Sequence, residues 1–408
     1  MERAARVTRG AWPHSAIYFA LCALYLFFAV RGVHEAALPG GSDFTFYYRG
    51  AARAWEGGDP MEVDGFIYLP AFAVMISPLS RLPYPAAVVL WQALSLAALL
   101  WCARAATLLA SEGETGPAPC LHWIPLAVVS RLADSNLAYG QVNSFTLALL
   151  LCSLLLLARG RGALAGSLIA LAGAIKILPL ALLAYCALRG QWKAVIAGTA
   201  AFLLLALVLP LAALGPETCM QGLSGFWSTV VRPYAVGGES LLASRICIPG
   251  ESLTAVAYRL LSDTPSSSTH LAERANILDL PLATVHWIAM GLVALHLGAL
   301  MVILFRRPAA PGSREWPAEA AFVLCTILLV APLIHKAHVI WILPAVSAAL
   351  AGELAGRSVR FAALRRGLLA VCFVSVALTT PVLAGRYCSP SFRALCVSLG
   401  VEALWLNL

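Results

Sequence analysis

The sequence predicts an all-α, polytopic membrane protein, and three observations carry that prediction. Hydrophobic residues make up 61% of the 408 and charged residues 12%, whereas soluble domains run about 45–50% apolar and about 25% charged. Mean hydropathy is +0.83, and several apolar runs reach the roughly 20 residues that a helix needs to cross a bilayer. Half of the 28 Lys and Arg residues sit in short clusters between those runs: Arg3–Arg9, Arg159/Arg161, Arg189/Lys193, Arg306–Arg314 and Arg357–Arg366. Such clusters mark cytoplasmic loops. They also explain the net charge of +8 without nucleic acid, because no basic face is interleaved with aromatic residues for stacking bases.

With the clusters taken as cytoplasmic, the elements follow in order. Helix one covers about 14–33 and runs outward; its lack of a small-residue cleavage site makes it a retained helix rather than a signal peptide. An external loop over 34–66 carries Asp43 among six acids. Within it, 42–57 reads as an amphipathic surface helix with Phe44, Tyr47, Tyr48 and Trp55 turned toward lipid or protein. A piece at 66–79 either crosses or dips in, and 84–109 crosses. After a Gly/Pro-rich break, a short apolar piece at 121–133 gives way to polar "RLADSNLAYGQVN", and a helix then runs to Leu157. The stretch 163–188 has basic clusters at both ends and Lys176 and Pro179 in its middle, so it reads as two half-length helices with Lys176 at the outward tip. A span at 194–214 leads to a large external loop, 215–280; further spans cover 281–305, 318–332, 339–354 and 367–384. The whole chain, 1–408, reads as one integral membrane domain.

The eleven cysteines show no zinc-ligand spacing. Cys219 with Cys247, and Cys388 with Cys396, fall in segments read as external; they form disulfides if that compartment is oxidising and are otherwise free thiols.

This topology gathers Asp43, Asn136/Gln141/Asn143, Lys176, the 215–280 loop and "APLIHKAHVIW" (331–341) at the outer boundary. A carboxylate beside a lysine and histidines at one membrane surface suits chemistry on a phosphate-bearing lipid, the carboxylate as base and the cations on phosphate.

The ordered set "SDFTFYYRGAARAWEGGDP…FIYLPAFAVMISPL" and "GQVNSFTLALLL…ARGRGALAGSLIALAGAIKILPLALL" resembles glycosyltransferase family 87 across roughly residues 12–355. That family comprises polyprenol-phosphate-sugar-dependent transferases, mycobacterial phosphatidylinositol-mannoside mannosyltransferases among them. The resemblance implies a GT-C-like helical bundle whose external loops form the site, with an acidic residue in the first external loop, here Asp43. The family's Gly-Gln-x-Asn element stands as Gly140-Gln141-Val142-Asn143, and its Lys-x-x-Pro element as Lys176-Ile177-Leu178-Pro179. Two places depart. "PGESLTAVAYR" has Gly250-Glu251-Ser252 where many members read Asn-Gln-Ser before an Arg, and Ile334-His335-Lys336-Ala337-His338 replaces a Ser-Trp-x-His-His pattern.

Each candidate has a plainer alternative. Asp43 is a catalytic base or an N-cap of the surface helix. Lys176 binds phosphate or snorkels to an interface. His335, Lys336 and His338 contact substrate or phosphate, or are interfacial; Arg259 is a phosphate ligand or a loop salt-bridge partner. Gln141 and Asn143 contact sugar or glue helices together, and Tyr48 contacts substrate or belongs to the aromatic belt.

The expected activity is inverting transfer of a sugar, mannose favoured, from a polyprenyl-phosphate sugar to a lipid or glycan acceptor on the extracytoplasmic face of the cell membrane. No metal or other cofactor is expected, since "GGDP" and "EVDG" are isolated acids rather than a DxD motif. A transporter or lipid flippase is the rival reading, with a non-catalytic assembly factor third.

Overall fold

The structure is a computed structural model; it describes residues 2–38, 41–111, 118–236, 250–265, 274, 276–306, 308–332 and 334–355. Among these the regular structure is entirely helical, and five helical stretches are long and apolar enough to cross a bilayer. The protein is thus an all-α, multi-pass membrane protein. The expected span at 367–384, together with Cys247, Cys388 and Cys396, lies outside the described residues. Cys219 is a free, buried cysteine.

The chain opens with α1 (Glu2–Ala36), whose apolar part begins at His14. The amphipathic helix α2 (Phe44–Trp55) follows. Its aromatic face turns to protein rather than lipid: Phe44 and Tyr47 are each 1% exposed, while Trp55 at the far end is 50% exposed. Phe44 packs on Trp91 at a ring separation of 5.0 Å, and Tyr47 on Tyr68 at 5.0 Å and Phe72 at 5.3 Å.

The ambiguous piece at 66–79 does not cross. It becomes α3 (Pro70–Ile76) and a 3-10 turn over Ser77–Arg81, and seven residues at about 1.5 Å rise are far too short to span about 30 Å of hydrocarbon. Helix α4 (Tyr84–Ala110) does have the length.

Helix α5 (Cys120–Ala138) extends the short apolar piece read at 121–133 through the polar residues that follow it. The polar residues Arg131 to Asn136 continue the helix and are buried. They are held there by charge pairing: Asp134 accepts from Arg131 at 2.5 Å and from Arg31 of α1 at 2.9 Å. Pro125 within α5 cannot donate to the carbonyl of Leu121, and the hydroxyl of Thr107 on α4 donates to that carbonyl instead, at 2.9 Å.

Helix α6 (Asn143–Ala158) leads to the interrupted segment, which is as expected: α7 (Gly162–Ile175), a break at Lys176, a 3-10 turn over Leu178–Leu180 and α8 (Ala181–Leu188). Helix α9 (Trp192–Leu214) packs on α7. Gly166 makes that packing possible, because a Cβ there would lie 2.0 Å from the carbonyl oxygen of Ala194; small residues let membrane helices bring their backbones together. A π-helical turn over Leu204–Val208 in α9 precedes Pro210, whose missing N–H a widened turn accommodates.

The region 215–280, expected as loop, contains helices. Helix α10 (Pro216–Phe226) continues through a π turn over Trp227–Val231, and α11 (Leu253–Leu261) is capped by Ser252, whose Oγ accepts from the N–H of Ala255 at 3.2 Å. Cap and turn residues make such stretches look like loop in sequence, while amphipathic packing keeps them helical. A short helical stretch over Arg232–Val236 follows the π turn, and the longer helices beyond are α12 (Leu282–Arg306), α13 (Trp316–Val330) and α14 (Leu343–Leu354), the last preceded by a 3-10 turn over Lys336–Ile342.

A buried polar knot ties α8, α12 and α13. Tyr185 donates to Glu319 at 2.6 Å and accepts from the indole of Trp316 at 2.9 Å; Arg189 pairs with Glu319 at 2.5 Å and donates to the carbonyl of Leu304 at 2.9 Å.

Candidate active site

The turn between α5 and α6 sets the position of Asp43. Gly140 takes φ +62°, the left-handed region that suits glycine, and a Cβ there would lie 2.8 Å from Ser42 Oγ and 2.9 Å from Phe44 Cβ. The turn is pinned from α4 by the indole of Trp91, which donates to the carbonyl of Gly140 at 2.8 Å. It holds the start of α2 in turn, because the backbone N–H of Asp43 donates to the carbonyl of Tyr139 at 2.9 Å.

Asp43 stands at the N-cap position of α2, yet its side chain makes no capping hydrogen bond. Ser42 takes over, its Oγ accepting from the N–H of Phe44 at 3.2 Å. The carboxylate instead turns to Gln141, whose Nε2 donates to Oδ2. Burial pushes the Asp43 carboxyl up to about 6, with the Lys176 ammonium pulling the other way.

Lys176 occupies the break after α7 in extended conformation, φ −151° and ψ 127°. Its Nζ meets three groups: Asn143 Oδ1 at 3.4 Å, His338 Nε2, and the face of the Tyr68 ring at 5.7 Å from its centroid. Burial brings its ammonium down to about 7, the charge of Asp43 opposing that fall. The amides of Gln141 and Asn143 bridge the two charged groups, Asn143 Nδ2 donating to Gln141 Oε1 at 3.4 Å.

His335 and His338 lie on a 3-10 turn, in which the N–H of His338 donates to the carbonyl of His335 at 2.8 Å and the ring centroids are 6.0 Å apart. His338 is 1% exposed. The N–H of His335 donates to Nδ1 of His338 at 3.1 Å, and Nε2 of His338 lies against Lys176 Nζ.

The structure therefore joins Asp43, Gln141, Asn143, Lys176 and His338 into one hydrogen-bonded cluster, with His335 in ring contact with His338. Lys336 follows directly in the same turn and is half-buried. Two candidates are engaged elsewhere. Tyr48 donates its hydroxyl to the carbonyl of Leu82 at 2.8 Å, and Arg259, 2% exposed, donates to the carbonyl of Gly250 at 2.6 Å.

Sequence reasoning missed Tyr68. Its hydroxyl shares a 2.7 Å hydrogen bond with that of Tyr47, and its ring supports Lys176. The available signal was Tyr47 itself, four residues after Asp43 and so on the same helical face.

Beside this cluster runs an apolar groove of about 230 Å³. Lys176 is the one charged residue in its described lining, among Ile67, Leu69, Ile177, Phe226, Val231 and their neighbours. A cation set in an apolar groove, with a carboxylate whose pKa sits near neutrality close by, can hold a lipid anion and accept a proton from a hydroxyl.

The polyprenol-phosphate-mannose-dependent alpha-(1-2)-phosphatidylinositol pentamannoside mannosyltransferase of Mycobacterium tuberculosis (strain CDC 1551 / Oshkosh) is 31% identical over 115 residues. That alignment covers 28% of this chain and 26% of the relative, well under two thirds of the relative's own length. No solved structure gives a significant match. Residues 66–334 match glycosyltransferase family 87, and the chain belongs to that family.

Proposed function

We propose that the protein is an inverting hexosyltransferase that moves a sugar, mannose being favoured, from a polyprenyl-phosphate carrier to a hydroxyl of a lipid or glycan acceptor. The site faces the extracytoplasmic side of the cell membrane. Asp43 takes the acceptor's proton as the acceptor oxygen bonds to the anomeric carbon. The bond from that carbon to the phosphate oxygen breaks, and its electron pair leaves with the lipid phosphate.

Lys176, aided by His335, Lys336 and His338, stabilises the charge growing on that phosphate. A single phosphate with cationic side chains around it needs no metal ion to leave. Gln141 and Asn143 hold the two charged groups from within the cluster, and Tyr48 and Arg259, bonded to the carbonyls of Leu82 and Gly250, act from further out.

The observation that carries this reading is a carboxylate not spent on its helix cap, electrostatically coupled to a lysine that lines an apolar groove. Family membership and the activity of the mycobacterial relative support the donor class. The sidedness rests on the basic clusters.

The test supplies membranes bearing the full chain with radiolabelled polyprenyl-phosphate-mannose and a total lipid extract, with and without EDTA. Transfer that survives EDTA and yields the anomer opposite to the donor's supports the reading. Retention of the donor's anomeric configuration, or loss of activity restored only by added metal, contradicts it.

A further inference from the structure

Gln141 and Asn143 lie between the two charged groups of the site, and their burial is informative. Asn143 has no exposed surface and Gln141 is 8% exposed. Their backbones are pinned as well: the N–H of Gln141 donates to the carbonyl of Asn136 at 2.9 Å, and the carbonyl of Asn143 accepts from the indole of Trp341 at 3.3 Å. Side chains so enclosed are poorly placed to grip an incoming sugar and well placed to fix their neighbours.

The chemistry of the ends dictates the direction of the chain. An ammonium only donates hydrogen bonds and an ionised carboxylate only accepts them. Lys176 donates to Asn143 Oδ1, which turns Asn143 Nδ2 toward Gln141 Oε1. Gln141 Nε2 is thereby aimed at Asp43 Oδ2. The amides have one orientation that satisfies every link, and Oδ1 of Asp43 remains for the acceptor's proton.

We propose that Gln141 and Asn143 are positioning residues forming a one-way hydrogen-bond relay, through which the charge on Lys176 sets both the orientation and the proton affinity of Asp43. Holding the ionised carboxylate by a donated hydrogen bond favours the charged form. The inference rests on the functional reading above for the roles of its two ends, but the relay itself is a statement about protonation and can be read without turnover.

The larger perturbation is Asn143→Asp. The new carboxylate still accepts from Lys176 but has nothing to donate to Gln141. Gln141 then reverses, giving its NH2 to the new carboxylate and presenting Oε1 to Asp43, where two oxygens repel unless Asp43 holds a proton. Gln141→Met is the milder variant, which only removes the donor to Oδ2. The other titratable groups facing Asp43 are Tyr47 on its own helix, Tyr68 ahead of α3, and Lys176 with His335 and His338 behind it. All are kept in both variants, but Asn143→Asp adds a negative charge beside Lys176 that itself raises the midpoint, so Gln141→Met carries the discriminating result.

The experiment titrates the full-length protein in lipid nanodiscs by infrared difference spectroscopy, following the carboxylic C=O band that disappears in Asp43→Asn. In parallel it measures kcat/KM against pH for transfer from polyprenyl-phosphate-mannose. The relay predicts that the Asp43 midpoint rises by about one unit or more in Asn143→Asp and by less in Gln141→Met, a tenfold change in proton affinity per unit. The acid limb of kcat/KM moves with it. An unmoved midpoint in Gln141→Met, or in an Asn143→Asp protein that unfolds at the wild-type temperature, overturns the relay and leaves the functional reading standing. A shifted midpoint in Gln141→Met, with a wild-type protein that transfers no sugar, supports the relay and overturns the functional reading.

Discussion

The rate of the proposed reaction has a narrow optimum in pH, because it needs Asp43 ionised and Lys176 charged at once. Asp43 titrates at about 6 and Lys176 at about 7. Between those values, near about pH 6.5, roughly 0.6 of the molecules carry both groups in the required form, and by about pH 5 or about pH 8 only about 0.1 do. The kcat/KM for sugar transfer therefore falls about sixfold on either side of the optimum, the acid limb reporting Asp43 and the basic limb Lys176.

Substituting Lys176 tells the limbs apart. Lys176→Arg keeps a charge that does not titrate below about pH 12, so the basic limb disappears and the acid limb stays. Lys176→Met removes the charge that holds the Asp43 pKa down, so any residual activity has its acid limb at higher pH. The assay is initial-rate label transfer across buffers of constant ionic strength. A flat profile between about pH 5 and about pH 8, or a basic limb unmoved in Lys176→Arg, refutes the assignment of the two groups.

Three further predictions concern the scaffold. Asp134→Asn leaves Arg31 and Arg131 without their buried counter-charge and costs about 3–5 kcal/mol, seen as a lower unfolding temperature in detergent. Gly166→Ala places a Cβ against the carbonyl of Ala194, forcing α7 from α9 at a cost of about 1–3 kcal/mol on the same readout. Tyr185→Phe strips Glu319 and Trp316 of a shared buried partner and costs about 1–3 kcal/mol.

What the sequence made legible depended on where the information was local. The break at Lys176 could be read because a charged residue and Pro179 interrupt an apolar run bounded by basic clusters at both ends. The convergence of Asp43, the Gly140–Asn143 turn, Lys176 and His338 followed from topology alone. The buried end of α5 could not be read that way. Arg131 to Asn136 look like loop until Arg31, more than a hundred positions earlier, supplies the charge that allows Asp134 inside.

The turn at His335–Ile342 was equally hidden, since a three-residue spacing of histidines suits a 3-10 turn as well as an α-helix. The roles of Ser42 and Asp43 at one helix start were indistinguishable by type, both being good N-caps. Only the direction of the Asp43 side chain shows that Ser42 and not Asp43 serves as the cap. Tyr48 shows the converse: beside Tyr47 in sequence, it points to the carbonyl of Leu82, because adjacent helical residues face different ways.

The most direct test of the central claim compares wild type with Asp43→Asn, both inserted in membranes and unfolding at the same temperature. Label transfer from polyprenyl-phosphate-mannose is measured at saturating donor. Loss of a general base predicts a fall in kcat of about 10²–10⁴ with donor binding unchanged. An Asn variant that transfers label within a few-fold of wild type removes Asp43 from the chemistry and contradicts the account.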